Sequence, residues 1–126
     1  MRGLTLASLD ALGAQTTIVY DQPYSMRPVT VTDAVNVSVS ASYNYRVLQV
    51  EAITDANGNQ SSVTFSPTGL VTARWVRGKP GQGDGDLVRP SVTLDYDFLA
   101  RPPFVRTVRS VRHDADPDFD PSETIE

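Results

Sequence analysis

The sequence contains no cysteine. Disulfides, thiolate metal sites and cysteine nucleophiles are therefore excluded, whereas export stays open, because an exported chain need carry no cysteine. Histidine occurs once, as His113, and tryptophan once, as Trp75. One histidine cannot supply a multi-histidine metal site, and no Ser-His-acid spacing surrounds it. There is no basic patch interleaved with aromatics, and the net charge of −4 argues against nucleic-acid binding through bulk charge. No apolar run is long enough to span a bilayer, so no membrane insertion by this segment is expected. The stretch Met1-Arg2-Gly3-Leu4 lacks the long apolar core of a secretory leader.

At 126 residues the chain amounts to one domain or less. Four phenylalanines and five tyrosines leave the core mainly to Val, Leu and Ile, and frequent Val and Thr favour strands. The most informative stretch is 29–65. Within it Val37, Val39, Ala41, Tyr43 and Tyr45 alternate with Ser38, Ser40, Ser42, Asn44 and Arg46. Successive side chains of a strand point to opposite faces, so this period of two predicts a strand with one apolar and one small polar face. The apolar residues three and four apart that a helix requires are missing from the run.

A unit recurs around this strand. Asp10-Ala11-Leu12-Gly13 precedes Tyr20, Asp33-Ala34-Val35-Asn36 precedes Tyr43, and Asp55-Ala56-Asn57-Gly58 precedes Phe65. The acid-to-aromatic spacing is the same in all three, and the aspartates lie 23 and then 22 positions apart. A fixed period with matching punctuation is the signature of a repeat architecture. Each unit reads as a turn, a strand, a second turn and a return strand. One such hairpin cannot bury its own apolar face and must stack on neighbours.

Further strands are expected over 15–21, 46–54, 61–65, 70–77, 91–98 and 104–112, with Ser66-Pro67-Thr68-Gly69 as a tight turn. The Gly-rich stretch 78–90 interrupts the pattern and reads as a mobile surface loop. Asp86 stands ten residues before Tyr96, which matches the repeat spacing. The tail 114–126 is acidic, broken by proline, and reads as a linker disordered on its own.

The residues that could carry chemistry have simpler readings. Asp114, Asp116, Asp118 and Asp120 resemble the start of a calcium loop, but Phe119 stands where its glycine belongs and Ile125 where its bidentate acid belongs. Gly81, Gly83 and Gly85 follow Lys79 without the GK[ST] element of a phosphate cradle. Asp21, Asp33, Asp55 and Asp97 invite a glycosidase reading, but aspartates at regularly spaced turns serve as caps for backbone N–H groups. Tyr43, Tyr45 and Trp75 could stack on sugar, and could equally pack across strands. No catalytic, cofactor-binding or metal residue is assigned, no cofactor is implied, and no enzyme is expected.

Tyr20-Asp21, Tyr43-Asn44 and Tyr96-Asp97, together with the Asp-Ala turns, resemble the YD-repeat or RHS-repeat family. The ordered series Tyr20-Asp21, 28–34, 43–49, Thr54-Asp55, Asn57-Gly58-Asn59, Val63-Thr64-Phe65 and Gly69-Leu70-Val71 is similar to the RHS region of the B component of insecticidal toxin complexes. Asn44 and Ser66 stand where that pattern has Asp. The resemblance implies an all-β fold, an antiparallel meander of repeated hairpins with one long Gly-rich loop. The repeat-like region is expected to span 1–113, with 114–126 as the acidic tail, and the whole to be a segment of a larger protein. The resemblance further implies a shell segment of a large secreted toxin. Its partners would be other repeats of the same polypeptide, a partner toxin component and an enclosed effector polypeptide. Self-association through open sheet edges is also expected. The alternative reading is a β-sandwich module binding carbohydrate or a cell surface.

Overall fold

In a computed structural model, which describes residues 3–126, every regular element is a strand. Met1 and Arg2, part of the stretch read above for a leader, lie outside the described residues. The strands are β1 (Ala7–Leu9), β2 (Gln15–Tyr20), β3 (Pro28–Thr32), β4 (Ser38–Asn44) and β5 (Gln49–Thr54). They continue with β6 (Gln60–Phe65), β7 (Val71–Arg77), β8 (Val92–Asp97), β9 (Phe104–Ser110) and β10 (Thr124–Ile125). All ten form one antiparallel sheet in which spatial order equals chain order. The expected meander of hairpins is therefore the fold. The two packed sheets of the sandwich alternative are not: each described strand belongs to the same sheet. Among the described residues no helix is long and apolar enough to cross a membrane.

Register separates the two faces, because directly paired antiparallel residues lie on the same side. One face carries the cross-strand row Ile18, Val31, Val39 and the row Ala41, Ile53, Ser61, Val76. The other carries Thr17, Thr32 and Ser38, and a second row of Ser42, Ala52, Ser62 and Trp75. The alternation of β4 thus continues across its neighbours, and Thr32 and Ser38 join hydroxyls across the polar face at 2.7 Å.

Nothing covers the apolar face within the chain. Ala73 is the one apolar side chain classed as buried among the described residues, while Val31, Val39 and Ile53 on that face are exposed. A compact monomer of 13.7 kDa exposes about 6600 Å². This chain exposes 8919 Å², an excess of roughly 2300 Å² over that scaling. A single sheet without a second layer accounts for the difference.

Two regions differ from the sequence-based expectation. The 78–90 loop is tied down rather than mobile along its length: Gly85 bridges to Arg77, and Asp86 is fully buried. The acidic tail forms successive turns, with Asp116 N–H donating to the His113 carbonyl and Phe119 N–H to that of Asp116. It closes with β10 on β9, pairing Thr124 with Ser110 and Ile125 with Arg109. Its carboxylates do not repel the segment into solvent, because Asp114, Asp116, Asp118, Asp120 and Glu126 each find a donor nearby.

Candidate functional site

The meander places alternate connections at opposite ends of the sheet, and each end repeats one device. At the first end lie the turns headed by Asp10, Asp33 and Asp55. In each, one carboxylate oxygen accepts the N–H groups two and four residues on: Leu12 and Ala14, Val35 and Val37, Asn57 and Asn59, all at 2.8–3.0 Å. The residue three positions on takes positive φ, as Gly13, Asn36 and Gly58. That left-handed corner explains why Gly or Asn closes the motif.

At the second end the residue after each repeat aromatic does the capping. Asp21 accepts the N–H groups of Met26 and Arg27 at 2.7 and 2.6 Å, and Asp97 accepts those of Leu99 and Ala100 at 2.9 Å. Asn44 Oδ1 accepts Arg46 N–H at 3.1 Å, and Ser66 Oγ accepts Leu70 N–H at 3.1 Å. The two departures from Asp therefore keep its role, since an amide or hydroxyl oxygen also accepts a backbone N–H. Arg46 reaches the Pro67 carbonyl and ties adjacent turns together.

The repeat aromatics have a common environment. Register shifts fall at Val19/Tyr20, Ser42/Tyr43 and Thr64/Phe65, where the facing strand carries one extra residue, so each aromatic faces a bulge in all three units. A bulge bends the strand that carries it, here the one facing the aromatic. The Tyr20 hydroxyl donates to the Thr5 carbonyl and that of Tyr43 to the Pro28 carbonyl, each 15 residues back. Tyr96 donates similarly to Val71. Phe65 has no hydroxyl to give.

The four aspartates considered as acid/base groups are thus caps. Hydrogen bonding holds two of them below the usual carboxylate range. For Asp21 the leading cause is the Tyr45 hydroxyl, followed by the Arg27 N–H. For Asp55 it is the Asn59 side chain and then the Asn59 N–H. The candidate sugar platform is divided among separate supports. Tyr43 lies under Arg27, Trp75 lies under Arg77, and the Tyr45 ring sits 5.5 Å from that of Tyr24.

Sequence reading missed the cluster around Asp86. Its Oδ2 accepts Val76 N–H at 2.7 Å and Ser91 N–H at 3.1 Å, and its Oδ1 lies 2.6 Å from His113 Nδ1. Arg77 Nε–H donates to its carbonyl at 2.7 Å. Asp114, beside His113, accepts the N–H groups of Leu87, Val88 and Arg89. Burial raises the Asp114 carboxyl's affinity for a proton, but these three donors win and hold it below the usual range. The sole histidine thus clamps the insertion to the chain beyond β9. Its signal in the sequence was the Asp86 position, ten before Tyr96, but Asp86 caps β7 and not its own turn. Near it, a cleft of about 350 Å³ is lined by Asp55, Asn59, Ser61, Asp84 and His113 among others. No group of three or more His, Asp or Glu side chains among the described residues could hold a metal ion. Asp116, Asp118 and Asp120 instead serve local N–H groups and Arg112.

No protein-family model matches the chain, and no curated protein does. Among solved structures it is similar to the crystal structure of TcdB2-TccC3, with a TM-score of 0.64 and 22% sequence identity. The match covers 82% of this chain but 6% of that one, so the chain spans a small part of the structure it resembles. At this identity the likeness establishes the fold. In fold it agrees with the resemblance drawn from the Tyr-Asp series.

Proposed function

We propose that this chain is a wall segment of a large secreted toxin, in which wound β-hairpins enclose an effector polypeptide and the wall itself performs no catalysis. The observation that carries this reading is a one-layer sheet of repeated hairpins whose fold matches a Tc toxin component over most of its length. Turns capped at both ends fix the register, and register decides which face each side chain takes. A wall of this kind needs neighbours on both edges and polypeptide against its apolar face. Other repeats of the same polypeptide, a partner toxin component and the effector supply them in this reading.

Electron cryomicroscopy of the full encoded polypeptide tests the proposal, together with limited proteolysis. The expected result is a closed β-shell with this sheet in its wall and an internal segment that resists protease until the shell is opened. A sheet standing alone in the full polypeptide, or a segment digested as fast inside as when free, would overturn it.

A further inference from the structure

Two charged side chains near the centre of the apolar face, Glu51 on β5 and Arg74 on β7, make no ion pair or side-chain hydrogen bond among the described residues. Both line one shallow hollow of about 200 Å³, together with Ile53, Ser61 and Val63. Val63 pairs directly with Arg74, and Ile53 pairs with Ser61, so β6 forms the floor of the hollow. Two strand spacings, about 9.6 Å, separate β5 from β7. Opposite charges therefore flank a strip centred on β6 and form no ion pair with each other.

This pattern is its own complement. A twofold axis lying along β6 between two copies packed face to face would set Glu51 of each over Arg74 of the other, with Val63 over Val63. An isologous contact requires that reciprocity. Stacked sheets pack about 10 Å apart with strands nearly aligned, which such an axis allows. The surface excess of roughly 2300 Å² is more than the ~800 Å² that each partner of a stable complex hides.

We propose that the apolar face packs against the same face of a second copy of this chain, registered by reciprocal Glu51–Arg74 pairs. The pairing does not rest on the shell reading.

Sedimentation equilibrium on the chain tests it, with circular dichroism to monitor strand content. The wild-type chain is expected to dimerise, and Glu51→Arg and Arg74→Glu should each weaken the dimer about tenfold or more. The double variant, which restores opposite charges, should recover most of the affinity. Should a reversal unfold the chain, Glu51→Gln and Arg74→Gln replace it, each expected to weaken the dimer about threefold. A monomer at all concentrations would overturn the proposal. So would a dimer indifferent to every one of these changes, since edge pairing would then hold it, or a folded double variant as weak as the singles. None of these results bears on protease protection in the full polypeptide, so the shell reading stands or falls separately.

Discussion

The Tyr45 hydroxyl donates a 2.6 Å hydrogen bond to Oδ2 of Asp21, 24 residues earlier in the chain. Asp21 lies in the β2–β3 connection and is buried, while Tyr45 begins the β4–β5 turn. One repeat thus grips the connection of the preceding one by a side chain, beside the backbone ladder. Tyr45→Phe is expected to lower the thermal midpoint and speed hydrogen exchange of the Met26 and Arg27 amides. Tyr43→Phe, which loses a bond to an exposed carbonyl that water can replace, should lower it less.

The same pair contributes to both limbs of the pH profile. The Tyr45 bond and the backbone donors lower the Asp21 carboxyl below its ordinary value of about 3.9. Unfolded chains then bind the proton more readily, so this stability is present above that value and is lost as pH falls through the folded one. Asp55 and Asp114 act in the same direction. On the alkaline side, the Asp21 carboxylate raises the Tyr45 hydroxyl above its usual range near 10. That contribution holds below the unfolded value and disappears as pH rises through the folded one. Denaturant midpoints measured across pH should fall below about pH 4. Asp21→Asn should flatten the acid slope and return the Tyr45 tyrosinate absorbance toward an ordinary titration.

The strands and the three Asp-headed turns were legible because both depend on chemistry within a few residues. Period-two alternation fixes the faces of β4, and an aspartate followed three places later by Gly or Asn fixes the corner. The Tyr45–Asp21 and His113–Asp86 contacts were not legible, since they join residues 24 and 27 apart through the path of the sheet. The glycines of 78–90 read as freedom, yet Gly85 is there because backbone crowds it. The run of alternating aspartates at 114–120 read as free charge, but turns within the segment supply its donors.

Gly85 provides a direct check on that loop. Its φ is +86°, and a Cβ added there would lie 2.4 Å from the Val76 carbonyl oxygen and 2.8 Å from Arg77 Cα. Gly81 has a similar φ of +88° but open space around it. Gly81→Ala should therefore cost about 1 kcal/mol, from backbone conformation alone. Gly85→Ala must also displace backbone at the β7 margin and should cost several-fold more, or prevent folding. Urea unfolding of the two variants compares them. Equal costs would mean that the loop is not docked on β7.

Asp86 itself is buried with three partners on its carboxylate. Asp86→Ala would leave the Val76 and Ser91 N–H groups and His113 without an acceptor, at about 3–5 kcal/mol. Asp86→Asn keeps one acceptor oxygen and should cost less. His113→Ala leaves both backbone bonds in place and should be the mildest of the three. Denaturant unfolding ranks them, and a His113→Ala chain less stable than Asp86→Ala would show that the histidine contact outweighs the two backbone bonds to Asp86.

Phe65 is the repeat aromatic without a hydroxyl, and the two earlier units show what one would do there. Tyr20 and Tyr43 each face a bulge and each donate to the carbonyl 15 residues before. Phe65 faces the equivalent bulge at the Thr64/Phe65 shift, and the residue 15 before it is Val50, second in β5 where Pro28 is first in β3. Phe65→Tyr is therefore expected to place its hydroxyl on the Val50 carbonyl and raise stability by about 0.5–1.5 kcal/mol. Thermal unfolding of the variant measures the gain. A loss of stability would show that the third unit aims its ring differently from the first two, and that the equal spacing of the three units does not extend to their side chains.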